Sequence, residues 1–275
     1  MRTRALRYVL AFAAGAALTG AVTFAVASGR LWQTSSSEGT PINSVRPTGV
    51  GLPLVGAHGT VGAGDYAGAL KDYHDSGRYE EDVERVAGRA KAYLRKRVRS
   101  LHRSAAERCA RSKREGSHKR ACRAAKPALV LDIDETSLSN YRYISQTNFT
   151  NVTVGLAAAV AAADDPPIEP TLDLYRFARR KDVAVFFITG RPANIPQDRE
   201  RTAANLRSAG YSKWAGLSLK PGGLDTVPYK SGERKEIEKQ GYRIVVNIGD
   251  QESDLRGGHA DRAFKLPNPF YFIGP

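Results

Sequence analysis

The sequence predicts an α/β protein: a Rossmann-like parallel sheet flanked by helices, preceded by a helical extension. Three observations carry this. After Pro127, short apolar runs alternate with stretches of helical periodicity, the pattern of parallel strands joined by crossover helices. Three of those runs end in acidic, hydroxyl or basic residues, and in open parallel sheets ligands gather beyond the carboxyl ends of the strands. Before Pro127, Val83, Val86, Ala90, Tyr93 and Leu94 recur at helical spacing.

Taken in order, residues 1–28 read as an export segment. Arg2, Arg4 and Arg7 precede an uncharged apolar run over 8–27 that closes with Ala25-Val26-Ala27 before Ser28. Such a run suits a cleaved signal peptide, and at about 20 residues it is also long enough for an uncleaved membrane anchor. Residues 29–64 shift to Gly, Ser, Thr, Pro and Val without periodicity, the composition of a flexible linker. The folded domain is expected over 65–275, with a helical part at 65–126 and an α/β core at 127–275. Asp65 is placed to cap a helix starting at Tyr66, with breaks near Gly77 and Gly116 on the way to Cys122. Strands are predicted at 128–133, 183–188, 216–219 and 244–248, with a shorter one near Phe264. Helices are predicted at 171–180, 198–209 and 231–240. The stretch between Asn140 and Pro170 is expected to lid the site and has no pattern that names a leaving group.

The formal charge of +14 is concentrated. Residues 95–126 hold thirteen Lys and Arg against Glu107 and Glu115, so the rest is an ordinary domain near charge balance. Clustered cations attract polyanions by a salt-sensitive, sequence-independent force. The segment predicts contact with an anionic polymer or lipid, or else a solvated helical face. Tyr93 is its nearest ring, so base stacking and sequence-specific nucleic-acid readout are not expected.

Cys109 and Cys122 are the only cysteines. Outside the cytosol a disulfide closing this short loop would stabilise by about 2–4 kcal/mol. Neither has the Arg six positions later that a cysteine phosphatase needs, since those positions are Glu115 and Ala128. The histidines His58, His74, His102, His118 and His259 form no cluster, so no histidine nucleophile or zinc site is expected. Asn148 and Asn151 begin sequons that matter only in a glycosylating host.

The first strand of the core ends in Leu131-Asp132-Ile133-Asp134-Glu135-Thr136. Two carboxylates emerging together repel and raise each other's pKa unless a cation sits beside them. Mg²⁺, with Asp132 as an oxygen ligand, meets that need. A calcium loop does not fit, because it wants Gly at 137 and Glu at 143, where Ser137 and Tyr143 stand. The second run ends in Thr189-Gly190-Arg191: a hydroxyl, a residue permitting close backbone approach, and a cation, each suited to a phosphate oxygen. A later run ends in Asn247-Ile248-Gly249-Asp250, with Asp254 one helical turn on. Asp250 suits a metal; either acid would also serve as a helix cap.

Together these strand ends resemble the haloacid dehalogenase (HAD) superfamily over 129–271. Its motifs correspond to Asp132, Asp134 and Thr136, to Thr189, to a lysine before the last strand, and to Gly249-Asp250-x-x-x-Asp254. Lys230 fits the lysine position best, with Lys220 the alternative. Phe187-Ile188-Thr189-Gly190-Arg191, Gly241-Tyr242-Arg243-Ile244-Val245 and Phe264-Lys265-Leu266-Pro267-Asn268-Pro269 look like the class B/plant-type acid phosphatase group, which includes vegetative storage proteins. The resemblance implies a Mg²⁺-dependent phosphomonoester hydrolase. In it Asp132 is the nucleophile, giving an aspartyl-phosphate, and Asp134 is the general acid and base. Mg²⁺ would be held by Asp132, Asp250 and the main-chain carbonyl of Asp134, and phosphate by Thr189, Gly190 and Lys230. Asp254 would hold a metal-bound water or orient the lysine, and Arg191 would meet the outer part of the substrate or pair with a neighbouring acid. A non-catalytic storage or binding protein and a phosphotransferase remain compatible with the same fold. Some storage proteins of the group lack the nucleophile, which this chain retains at Asp132.

Overall fold

The structure, a computed structural model, describes residues 60–62, 66–114 and 125–273. The export segment, all of the linker except three residues, Asp65, Gly116, Cys122, His58, His118 and part of the basic segment lie outside the described residues. Among the described residues, no helix is long and apolar enough to cross a membrane.

Strand β1 (Thr60–Gly62) falls at the end of the expected linker and pairs antiparallel with β7 (Tyr271–Ile273). Helix α1 (Ala67–Asp75) stops at Gly77, whose φ of +82° breaks the helix where expected. Helix α2 then runs over Arg78–Arg114. Its apolar positions Val83, Ala87, Ala90, Leu94 and Val98 are buried, and it packs on the helix Glu169–Arg180 and on two strands of the main sheet.

That sheet is five-stranded and parallel, in the order β4-β3-β2-β5-β6. Its strands are β2 (Lys126–Leu131), β3 (Ala184–Pro192), β4 (Gly216–Lys220), β5 (Tyr242–Gly249) and β6 (Ala263–Lys265). Successive side chains alternate between faces. Ala128, Val130, Phe186, Ile188 and Ile244 form one core with Tyr229 and Ile237 of α7 (Thr226–Lys239). Leu129, Leu131, Val185 and Phe187 point the other way and are equally buried. On that account β2 is apolar from Pro127 to its end, as a strand covered on both faces must be. Helix α5 (Glu169–Arg180) packs against β3, and α6 (Asp198–Ser208) connects β3 to β4.

The structure departs from expectation in three places. Helix α7 starts five residues before the predicted 231, because Pro228 lies in its first turn, where a missing N–H breaks no intrahelical bond. The stretch between Asn140 and Pro170 forms α3 (Tyr141–Gln146) and α4 (Val152–Ala162). Asn151 caps α4 by accepting from the Val154 N–H at 3.3 Å. Gly155 lets the two helices touch, since a Cβ there would lie 3.0 Å from the Ile144 Cα. The short α8 (Glu252–Leu255) follows β5.

Candidate active site

Strand β2 stands at the centre of the sheet with β3 on one side and β5 on the other, and its carboxyl end is where Asp132 and Asp134 emerge. The turn that follows is unusually well tied. Ser137 and Leu138 N–H groups donate to the Ile133 carbonyl, and Ser137 Oγ donates to the Asp132 carbonyl at 2.6 Å. Glu135 adopts φ +48°, a left-handed conformation that costs about 1–2 kcal/mol for a residue with a Cβ. Its buried carboxylate is held by Tyr271 OH at 2.6 Å and by the Asn140 N–H at 2.7 Å. Burial pushes the Glu135 pKa up to about 8, against the pull of the Tyr271 hydrogen bond.

Lys230 Nζ reaches in from α7 and lies 2.5 Å from Asp132 Oδ1 and 2.6 Å from Asp254 Oδ1, with all three side chains buried. Burial would lower the ammonium pKa, but the two carboxylates overcome it and raise it. Asp254 is further fixed at the start of α8, accepting the Gln251 N–H at 2.8 Å. Gly249 makes room for it: a Cβ at 249 would stand 2.3 Å from the Asp254 Cβ. Lys220, the alternative lysine, instead donates to the Leu224 carbonyl at 3.0 Å on the exposed edge of the sheet.

Asp250 completes a group in which one carboxylate oxygen each from Asp132, Asp250 and Asp254 lies within 4.8 Å of the others. Thr136 Oγ1, Gln251 Nε2 and Asn268 Nδ2 donate to Asp250 at 3.1, 2.6 and 2.7 Å, and Lys265 donates to its main-chain carbonyl. Burial, then the neighbouring Asp254, raises the Asp250 pKa to about 6. Asp132 is pushed up by burial as well, opposed by Lys230. Lys230 thus serves two of these three buried carboxylates, Asp132 and Asp254. Hard oxygen donors crowded this closely fit a divalent cation of the Mg²⁺ kind, whose charge relieves the repulsion.

The Asp134 side chain has a different set of partners. Arg191, at the end of β3, donates to Asp134 Oδ1 from Nη2 at 2.7 Å and from Nε at 3.1 Å. Asn140 Nδ2 adds a bond at 2.9 Å, and Thr189 Oγ1 stands 3.4 Å from Oδ2. Burial raises the Asp134 pKa, but Arg191's charge and hydrogen bonds outweigh it and hold the carboxyl below its ordinary value. The buried guanidinium also donates to Thr202 Oγ1 at 3.1 Å and lies 3.7 Å from Asp165 Oδ2. Asp165, from the loop after α4, has no hydrogen-bond donor to either carboxylate oxygen among the described residues, and burial raises its pKa to about 7. Thr189 is buried, and Gly190 is exposed at the strand end with open space around it. The described histidines lie elsewhere: His74 pairs with Asp75 and His259 with Glu238.

Sequence reasoning gave no role to Glu135, Asn140, Asp165, Lys265, Asn268 or Tyr271. Only Lys265 and Asn268 left a signal, as part of the family-like string Phe264-Lys265-Leu266-Pro267-Asn268-Pro269.

Fold and site together define a HAD-type α/β protein. The family model for HAD superfamily, subfamily IIIB (Acid phosphatase) matches residues 63–274, and the chain belongs to that family. It is 37% identical over 158 residues to a stem 28 kDa glycoprotein of Glycine max, covering 54% of this chain and 61% of that protein. It is 36% identical over 151 residues to acid phosphatase 1 of Solanum lycopersicum, covering 52% and 58%. To vegetative storage protein 1 of Arabidopsis thaliana it is 35% identical over 150 residues, covering 52% and 54%. The chain thus spans between half and two thirds of the length of these relatives. The class C acid phosphatase from Bacillus anthracis shares the fold, with a TM-score of 0.53 and 19% identity over 76% of this chain and 86% of that one.

Proposed function

We propose that this chain is a Mg²⁺-dependent phosphomonoester hydrolase that works through an aspartyl-phosphate at Asp132. The observation that carries the reading is the buried group of Asp132, Asp250 and Asp254, with Lys230 paired to Asp132 and Asp254, and with Asp134 held by Arg191.

Asp132, Asp250 and the main-chain carbonyl of Asp134 would hold Mg²⁺, with Asp254 in reach. When bound there, the ion supplies Lewis-acid neutralisation of the phosphate oxygens. Lys230 supplies a second positive charge to those oxygens and favours the anionic form of Asp132 against the push of burial. Asp132 attacks phosphorus in line, and the leaving alkoxide takes a proton from Asp134; in the second half Asp134 accepts a proton from the attacking water. Thr189 and Gly190 hold the transferring oxygens. Arg191's grip opposes protonation of Asp134, so the acid role needs a low pH or an arriving phosphate dianion. The dianion competes for Arg191 and raises the proton affinity of its neighbour.

A storage role is the second reading, favoured by the storage protein among the relatives. Retention of Asp132 supports the enzyme instead. Hydrolysis of para-nitrophenyl phosphate that appears with Mg²⁺ and vanishes with EDTA is the expected result, and a folded protein without it would leave the storage reading. Added acceptor alcohol separates hydrolysis from phosphotransfer by the product formed.

We further infer export through residues 1–28, with Cys109 and Cys122 joined once outside the cytosol.

A further inference from the structure

Helix α2 is longer than its packing on the sheet requires, and its last five turns carry most of the chain's excess charge. The buried positions of that half are Leu94, Val98, Ala105 and Ser112, all on one side. At 100° per residue, Arg95, Lys96, Arg99, Arg103, Lys113 and Arg114 fall within about a third of the circumference, outside the sector of the buried positions. All six are exposed, and exposed Ala92, Ala106 and Ala110 lie among them. Glu107, at the edge of the stripe, is the one acid between Arg95 and Arg114.

None of the six has a carboxylate partner among the described residues, whereas Arg97, which turns toward the domain, is paired with Asp261 at 2.8 Å. Arg95 is steadied only by the Phe177 ring, 5.3 Å away. Like charges four apart, such as Arg95, Arg99 and Arg103, destabilise a helix by a few tenths of a kcal/mol, roughly 0.2–0.5 per pair. A bound polyanion reverses that sign.

We propose that this stripe docks a linear phosphodiester polymer, read through its phosphates alone. Arginines predominate, and the guanidinium fork matches a phosphate's paired oxygens. Arg95, Arg99 and Arg103 are about 6 Å apart along the axis, and the whole stripe is about 30 Å long. Nothing on it stacks a base: Tyr93 is turned inward, 6.0 Å from Phe264 and beneath Arg262. The stripe itself carries no large apolar side chain to insert into a bilayer, only Ala92, Ala106 and Ala110. The exposed large hydrophobics Val154, Ile195 and Leu224 are all on other elements.

The proposal is independent of the catalytic reading and is tested on the full chain with a labelled 20-nucleotide oligothymidylate. If all six cations engage, the logarithm of affinity falls with the logarithm of salt at a slope of about −4. Replacing Lys96, Arg99 and Arg103 by Gln should bring the slope to about −2. Para-nitrophenyl phosphate hydrolysis should stay as in the parent, since none of the three touches the site, and the melting temperature should hold or rise slightly as the repulsion among Arg95, Arg99 and Arg103 is relieved. Equal affinity for oligoadenylate is expected, and distinctly tighter binding to it would overturn the phosphate-only reading. An unchanged slope in the triple variant would overturn the location. Vesicles of phosphatidylglycerol and phosphatidylcholine supply the last arm, read as the loss caused by the triple substitution so that residues 1–28 cancel. A larger loss on vesicles than on the oligonucleotide would make the stripe a membrane-facing surface and end the proposal.

Discussion

Arg191 and Asp134 form a two-point ion pair, Nη2 to Oδ1 at 2.7 Å and Nε to Oδ1 at 3.1 Å, with the Asp165 carboxylate 3.7 Å from the guanidinium as a second, longer ion pair. The pair holds the Asp134 pKa below its ordinary value. A general acid acts in its protonated form, so this contact confines the acid-dependent step to low pH. Arg191→Gln removes the charge, leaves Asp134 under the upward push of burial, and should shift the alkaline limb of the kcat profile to higher pH. Arg191→Lys keeps the charge without the fork and should fall between. Loss of a buried partner costs about 3–5 kcal/mol, so the profiles are to be read at a temperature where the variant is folded. An alkaline limb that stays put in both variants would take the acid role away from Asp134.

Asp132→Asn should abolish para-nitrophenyl phosphate turnover without unfolding the chain. Lys230 keeps Asp254 as its partner, and the substitution removes one of three mutually repelling carboxylates. In EDTA the variant should therefore melt at or above the parent temperature. The order reverses on adding Mg²⁺, because ligand-linked stabilisation grows with affinity for the folded state and the variant has lost a ligand. Differential scanning fluorimetry with and without the ion reads both signs. A variant that melts well below the parent in EDTA would show that Asp132 is paired more favourably than the crowding implies.

Stability without metal should fall as pH rises. Asp250, Asp165 and Glu135 have folded-state pKa values raised to about 6, 7 and 8, above an unfolded value near 4. Their folded forms hold protons more tightly than the unfolded chain, so their contribution is full below about pH 4 and is lost as pH rises through 6 to 8. Asp134 and Asp261, whose values are lowered, act in the opposite sense, but only below their unfolded pKa. The urea midpoint in EDTA should thus drop between pH 5 and pH 8, and Mg²⁺ should recover part of the loss. A flat midpoint across that window would mean that water or counter-ions already solvate these groups.

The strand ends were legible because an acid after an apolar run needs no tertiary information to be noticed, and Asp132, Asp134 and Asp250 all announce themselves in that way. The helices before Pro170 were not. Val152–Ala162 is apolar on nearly every side and has no stripe to give it a period, while Tyr141–Gln146 is under two turns long. Strand β1 has three residues and exists only because β7, two hundred positions later, pairs with it. The partners of the site share that limit. Tyr271 reaches Glu135 across 136 residues and Thr136 reaches Asp250 across 114, and no local pattern encodes contacts of that separation.

Gly249 and Gly232 offer a paired test of how tightly the acidic group is built. At 249 a Cβ would stand 2.3 Å from the Asp254 Cβ and 2.4 Å from its Oδ2. Gly249→Ala must push Asp254 outward, away from Lys230 and from the Gln251 N–H that it caps. Overpacking of this sort costs about 1–3 kcal/mol, and a displacement near 1 Å in a reacting constellation costs about 10²-fold in rate. Gly232 lies two residues beyond Lys230 on the same helix, and a Cβ added there would meet nothing within 4 Å. Gly232→Ala should stabilise by up to about 1 kcal/mol through helix propensity alone and leave turnover unchanged. Urea midpoints and Mg²⁺-dependent turnover of the two variants separate a site held by close packing from one with slack. If Gly249→Ala behaves like Gly232→Ala, Asp254 is free to move and its hold on Lys230 is not what positions the lysine.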